Sequence, residues 1–427
     1  MRKVTKQMMV GLMAAGVLAS VGTSASAALV DPGLQSTKAG VVVDAQTGQV
    51  IADQNGTERL PIASTTKLIT MYMVKEAVKS GKISLSQKVK VPEDIAAFSQ
   101  DLSVANTPMT AEKTYTVQQL IDAMMVPSSN GAALLLANLL GGSQAKFEKM
   151  MEAKLESWGI AGVKIYSPSG LTNGDMKKFK DSSADYDVEN EMSARELAVV
   201  ARRLVVDYPD VLKTAQQKTV EFPAVSGGTE TMNNTNELLG NETFDLSWLG
   251  LKTGTTPNAG GNFVGVTKIQ GRPVVSVVLN SGDNADAAAK FNATLTMVKK
   301  ADDAVKVQKV ASGLKPAKNT VSVLTAKDGK ISYKTKGTAT FFVPAGESAT
   351  TKAVNAKLSK KITAPLKQNE KLGTAQLESS FAAANDWLTG APEVELVSVS
   401  EEPRANWFAT TWRGMFGKSN YDITATK

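Results

Sequence analysis

Apolar and polar positions fall into readable periods along most of the 427-residue chain. Residues 39–53 alternate as a hairpin does, with Val41, Val42 and Val43 on one arm, Val50, Ile51 and Ala52 on the other, and a turn at Gln46, Thr47 and Gly48. A polar loop with a turn at Asn55 and Gly56 follows. The run 68–74 carries no charge and predicts a helix closing near Ser80, with Gly81 as its C′ residue. Residues 82–118 are mixed and predict a loop-rich stretch. Helical spacing returns at 117–126 and 131–140, and amphipathic helices are predicted at 144–163 and 191–213. Between these two lie the loop from Tyr166 to Leu171 and a charged loop within 172–190. Residues 248–255 read as a strand leading into a turn, 261–269 and 274–279 as strands, and 285–305 as a helix.

Beyond this point the composition shifts. Residues 306–400 are rich in Thr, Val, Lys and Ser, with strand patterns at 321–324, 339–343 and 394–399 and a Lys/Thr-biased run at 326–337. They predict a small all-β domain. On a helical wheel over 403–418, Trp407, Phe408, Trp412, Met415 and Phe416 share one half, and Asn406 and Arg413 lie opposite. Such a helix fits the plane of a membrane interface, with Arg404, Arg413 and Lys418 near headgroups. Packing back onto the β domain is the alternative.

The first 27 residues read as a secretory signal peptide. Arg2, Lys3 and Lys6 form its positive start, residues 8–21 its apolar core, and Ala25, Ser26 and Ala27 the small residues before cleavage. An uncleaved N-terminal anchor is the other reading. The predicted organisation is therefore 1–27 signal peptide, 28–305 first domain, 306–400 β-rich domain, 401–418 amphipathic helix and 419–427 tail. Three of the positive charges behind the net +7 lie in that leader. The excess suggests affinity for anionic surfaces, and no pattern points to nucleic acid.

There is no cysteine and no histidine. Cys nucleophiles, Ser-His-Asp triads and His or Cys zinc sites are thereby excluded. A nucleophilic enzyme of this composition needs Lys, Asp, Glu or Tyr as its base. Clustered carboxylates for a metal are not visible, and no cofactor is expected. Ser64 and Lys67 stand three apart, on one face of the helix that follows. Lys67 is the only charged residue between Arg59 and Lys75, so burial would depress its pKa and make it a base for the Ser64 hydroxyl. The plain alternative is a surface lysine one turn from a capping serine. Two further motifs follow in order, Ser128-x-Asn130 and Lys252-Thr253-Gly254, each in a stretch nearly free of other charge.

These three motifs in this order resemble the penicillin-binding and serine β-lactamase superfamily. The stretches Val43-Asp44-x-x-Thr47-Gly48, Pro61 to Lys67, Asn234-Thr235-Asn236-x-Leu238-Leu239 and Gly250 to Thr255 resemble, more narrowly, the low-molecular-mass D-alanyl-D-alanine carboxypeptidases. The resemblance implies an α/β (α+β) β-lactamase/transpeptidase-like catalytic domain, followed by the β domain and the amphipathic helix. It implies Ser64 as nucleophile, Lys67 as base and Ser128 as proton bridge. Asn130, Lys252, Thr253, Gly254 and Thr255 would be substrate-binding, with Lys252 and Thr253 on the terminal carboxylate and the N–H groups of Ser64 and Thr255 as oxyanion hole. Gly254 would let the substrate backbone lie close against its strand. The implied partners are a peptidoglycan stem peptide ending in D-Ala-D-Ala and β-lactam inhibitors. The outer face of the cytoplasmic membrane would be reached through Trp407, Phe408, Trp412 and Phe416.

The family often carries an arginine after the strand that follows Lys-Thr-Gly; residues 281–289 hold none, and Lys290 is the nearest cation. A β-lactamase, a transpeptidase or endopeptidase, and a non-catalytic wall scaffold are the other readings. Against the first, the closest stretch to a Glu-x-x-Leu-Asn motif, Glu237 to Asn241, has the wrong spacing.

Overall fold

The computed structural model describes residues 28–241, 243–282 and 286–416. The leader at 1–27, the tail at 419–427, Lys418 and Ala285 lie outside the described residues. In chain order the first part runs β1 (Thr37–Asp44), β2 (Val50–Gln54), β3 (Arg59–Pro61), a 3₁₀ turn (Ala63–Thr66), α1 (Lys67–Lys79), β4 (Lys88–Lys90), α2 (Glu93–Ser99), β5 (Thr114–Thr116), α3 (Val117–Met125), α4 (Asn130–Gly141) and α5 (Gln144–Ser157). It continues with β6 (Glu191–Ser193), α6 (Ala194–Asp207), α7 (Val211–Ala215), β7 (Thr219–Pro223), β8 (Thr229–Asn233), β9 (Leu251–Thr256), β10 (Gly260–Ile269), β11 (Arg272–Ser281) and α8 (Ala289–Ala304).

An antiparallel sheet, β2-β1-β11-β10-β9, forms the centre, and β9 is an edge strand. Its central strands are apolar on both faces because both faces are covered. Val41 and Val43 of β1, with Val275, Val277 and Leu279 of β11, pack in the core that includes α1 and α6. Val42, Val274 and Val278 face the other way, into a core closed by Phe291, Met297 and Val298 of α8. The helices α2 to α5 gather beside α1, so the long run of consecutive apolar residues in α1 is buried all round.

Several expected boundaries shift, each for a local reason. The stretch 82–118 holds the seven-residue α2 as well as loops. Helix α5 stops at Ser157 rather than 163, because Gly159 takes φ +83° and Ile160 N–H returns to Leu155 O at 3.0 Å. The stretch 191–213 opens as a short strand, and Ser193 and Glu196 then form a capping box at the start of α6. Pro209 separates α6 from α7. The strand read at 248–255 begins only at Leu251, and Lys252, Thr253 and Gly254 lie within it.

The strand-rich part comprises β12 (Val305–Val310), β13 (Thr320–Ser322), β14 (Lys330–Lys336), β15 (Ala339–Pro344), β16 (Thr351–Leu358), β17 (Lys371–Ser379) and β18 (Glu393–Ser398). One sheet has the order β13-β14-β18-β17-β16, and β12 pairs with β15. The Lys/Thr-biased run proves to be largely β14: Ile331, Tyr333 and Thr335 point inward, and Lys330 and Lys336 outward. Its period of two is a strand signal masked by its lysines.

The two parts share packing. Phe342 of β15 belongs to the α8-side core, and the fully buried Gln49 donates to Phe342 O (2.8 Å) and Ala384 O (3.0 Å) while accepting from Phe342 N–H (2.8 Å). Arg195 of α6 bridges Asp53 and Asp386. The last helix, α9 (Trp407–Phe416), buries none of its residues. Its Arg413 donates to Ala326 O and Lys327 O at 2.5 and 2.8 Å, so the polar side is tied to the β domain. Trp407, Phe408, Trp412 and Phe416 are 57–77 % exposed. No helix among the described residues is long and apolar enough to cross a membrane.

Candidate active site

The 3₁₀ turn at Ala63–Thr66 runs directly into α1 and puts Ser64 one turn before Lys67. Ala63 holds φ +46°, an uncommon conformation for a residue with a side chain. Lys67 is fully buried, which disposes of the surface-lysine reading. Its Nζ lies 2.8 Å from Ser64 Oγ, 2.7 Å from Asn130 Oδ1 and 2.9 Å from Ser169 O. Burial first, and the positive charge of Lys252 second, hold its pKa well below the usual lysine value. A neutral amine has two N–H donors and one lone pair. Asn130 Oδ1 and Ser169 O can only accept, so they take both donors and leave the lone pair facing the Ser64 hydroxyl. The arrangement can therefore remove the Ser64 proton.

Two supports of this pair had no residue-type signal in the chain. The loop from Tyr166 to Leu171 passes beneath the Ser64 turn so closely that a Cβ on Gly170, at φ +84°, would meet Ala63 O at 1.8 Å. Thr70 Oγ1 donates to Pro168 O at 2.7 Å. Asn190 fastens the same loop: its Oδ1 accepts from Tyr166 N–H (2.7 Å) and Ser167 N–H (3.3 Å), and its Nδ2 donates to Ser167 O (2.8 Å) and Thr66 Oγ1 (3.1 Å). The loop at 172–190 now has a place as well. Its Glu189 carboxylate accepts from Thr256 Oγ1 at the end of β9, at 2.8 and 2.9 Å.

Ser128 and Asn130 sit at the turn between α3 and α4. Ser128 is 4 % exposed with φ +69°, a second strained position beside the site. The segment after α2 holds this turn in place. Asn130 N–H donates to Ala105 O (2.9 Å), Gly131 N–H to Asn106 Oδ1 (2.8 Å), and Thr107 N–H to Ser129 Oγ (3.1 Å). The stretch 82–118 thus has a positioning role.

Strand β9 brings up the remaining residues. Lys252 is 1 % exposed, its Nζ donates to Thr253 O at 3.2 Å, and burial takes its pKa down to about 7. Thr253 Oγ1 lies 2.6 Å from Thr235 Oγ1. Thr255 is exposed on the strand, paired with Gly261. A Cβ on Gly254 would meet Ile62 O, Ser64 N and Thr65 N, each at 3.0 Å. At Gly254 β9 thus lies close against the Ser64 turn, a packing constraint on this position beside the room expected there for substrate. Lys290, the nearest cation after β11, is 7 % exposed, and its Nζ donates to Ala287 O at 2.7 Å. A groove of 720 Å³ lined by Arg59, Tyr166, Asp187, Glu189 and Asn258 shares no lining residue with Ser64, Lys67 or Asn130. Chemistry, not volume, picks out the site. Among the described residues no cluster of carboxylates fit to hold a metal occurs.

The chain matches the family described as Peptidase_S11, D-alanyl-D-alanine carboxypeptidase, over residues 26–283. It is 26% identical over 355 residues to the D-alanyl-D-alanine carboxypeptidase DacC of Escherichia coli, spanning 80% of each chain. The solved structure of a peptidoglycan synthesis regulatory factor, PBP3, from Streptococcus pneumoniae matches with a TM-score of 0.71 and 28% identity, over 86% of this chain and 99% of that one. Penicillin-binding protein D2 from Listeria monocytogenes, solved in its ampicillin-bound form, matches at 0.50 and 29%, over 62% of this chain and 97% of that one. With more than half its length matched by the family, and a buried Ser–Lys pair at the head of α1, the chain belongs to the D-alanyl-D-alanine carboxypeptidase family of serine peptidases.

Proposed function

We propose that this chain removes the terminal D-alanine from peptidoglycan stem pentapeptides through an acyl-enzyme on Ser64. The observation that carries the reading is the Lys67 amine, buried, 2.8 Å from Ser64 Oγ and with its two donors occupied by Asn130 and Ser169. Ser64 Oγ attacks the carbonyl of the penultimate D-alanine as its proton passes to Lys67. The N–H groups of Ser64 and Thr255 receive the oxyanion, each such donor contributing about 2.7–4 kcal/mol to the transition state. As the C–N bond breaks, the proton moves from Lys67 through Ser128 to the leaving amine, and water then hydrolyses the ester. Asn130 Nδ2 meets the acyl-side amide, and Lys252 with Thr253 holds the terminal carboxylate. Penicillins, which also carry a carboxylate beside a reactive amide, acylate the same serine.

The same proposal assigns 28–305 to catalysis, 306–400 to a β-rich stalk and 401–418 to a membrane-associating helix. Residues 1–27 export the chain to the outer face of the cytoplasmic membrane, beside the cell wall. The exposed aromatic side of α9 supports lipid contact through Trp407, Phe408, Trp412 and Phe416. A non-catalytic scaffold has no use for a nucleophile and base in contact. Peptide mapping after treatment with a fluorescent penicillin tests the nucleophile. Label should sit on Ser64 and vanish in Ser64→Ala; label persisting in that variant contradicts the assignment.

A further inference from the structure

The turn before β9 contains Asn234, Thr235 and Asn236; backbone takes up both ends of the Asn234 amide but only the oxygen of Asn236, whose buried Nδ2 has no partner. Asn234 Nδ2 donates to Ala215 O (3.1 Å) and Gln217 O (2.8 Å), and its Oδ1 accepts from Asn236 N–H (2.9 Å). Asn236 Oδ1 accepts from Leu238 N–H at 3.0 Å. Backbone bonds from Asn234 N–H to Lys218 O (2.8 Å) and from Thr235 N–H to Val126 O (3.3 Å) complete the turn and seat it two residues from Ser128. None of these contacts uses the Thr235 side chain. That side chain is exposed, and its hydroxyl lies 2.6 Å from the hydroxyl of Thr253, a residue 7 % exposed in the carboxylate-binding strand.

Two touching hydroxyls hold two protons. One lies between the oxygens, and the other is free for a ligand. When Thr235 donates, Thr253 keeps its own proton, and accepting a bond polarises it into a stronger donor. We propose that Thr235 is a positioning residue for carboxylate recognition: its hydroxyl donates to Thr253 Oγ1 and turns the Thr253 proton toward the terminal carboxylate of the substrate. The inference rests on the carboxypeptidase reading of this cleft. It supplies a second fixed group where residues 281–289 provide no arginine. Lys252 gives the charge, and the threonine pair gives the direction.

Steady-state kinetics on a peptide ending in Lys-D-Ala-D-Ala, with D-alanine release as the readout, test this. Thr235→Val removes the hydroxyl and keeps the shape; Thr235→Ser keeps the hydroxyl. A contact made equally in ground and transition states appears in KM. Thr235→Val should raise KM about tenfold with kcat within about twofold, about the size of one lost neutral hydrogen bond. Thr235→Ser should restore the wild-type KM. Thr235→Ala repeats the test should valine disturb the turn, and should behave as valine does. An unchanged KM, a loss confined to kcat, or failure of serine to rescue overturns the proposal while leaving the carboxypeptidase reading intact. Absence of D-alanine release from the wild-type chain overturns that reading, and this proposal with it.

Discussion

Lys67 and Lys252 ask opposite things of pH. As the proposed base Lys67 would act only when neutral, and its depressed pKa keeps it so until the pH falls through that lowered value. In the role proposed for it Lys252 would hold a carboxylate only when protonated, and in the free enzyme it loses its proton as pH rises through about 7. Because kcat/KM reports groups of the free enzyme, it should decline above pH about 7 as well as at low pH. Lys252→Arg, which stays charged, should move the alkaline limb to higher pH. A flat profile from pH 6 to about 9 would contradict the assignment. At this scale the burial of Lys67 and its contacts with Ser64 and Asn130 were legible, because each shows as a particular residue type in apolar surroundings. The Ser169 contact was not, because a backbone carbonyl can come from any residue. The close approach of Gly254 to Ile62 and Ser64 was not legible either, because it depends on how β9 packs against the turn.

The loop from Tyr166 to Leu171 shows how an element without regular structure can hold a catalytic pair. Asn190 binds it to the Ser64 turn through both ends of its amide. Asn190→Ala leaves buried donors and acceptors unpaired, each at about 1–3 kcal/mol. The variant should melt several degrees lower and acylate with penicillin at least about tenfold more slowly, while far-UV circular dichroism stays native. Unchanged acylation would mean that the loop is structural only. Elements with a long, clean period, such as β1, α1, α3, α4 and α8, were readable from apolar spacing. The seven-residue α2 was not, because its polar flanks outweigh two helical turns. In β14 the alternation was present, but lysines at outward positions hid it behind a composition that looked like low complexity.

The molecule as a whole couples the catalytic cleft to an aromatic helix through a firm joint. Gln49, Phe342 and the Arg195–Asp386 pair fix the β domain to the first part of the chain, and Arg413 ties α9 to the turn at Ala326 and Lys327. A chain lying on a bilayer by α9 would therefore carry its cleft at a set height. Replacing Trp407, Phe408, Trp412 and Phe416 by serine should abolish co-sedimentation with phospholipid vesicles and leave D-alanine release in solution within about twofold. Retained sedimentation would place the membrane contact elsewhere. The change to strand-rich structure was visible as a shift in composition near residue 305, whereas the contacts made by Gln49 were not, since Gln49 reads as an ordinary residue after a turn. The proposed chemistry depends above all on the Ser64–Lys67 pair. The most direct measurement is D-alanine release from a peptide ending in Lys-D-Ala-D-Ala, by the full chain and by Ser64→Ala. Release that disappears in the variant is the predicted result; release that survives it, or none from wild-type chain that penicillin still labels, would contradict the account.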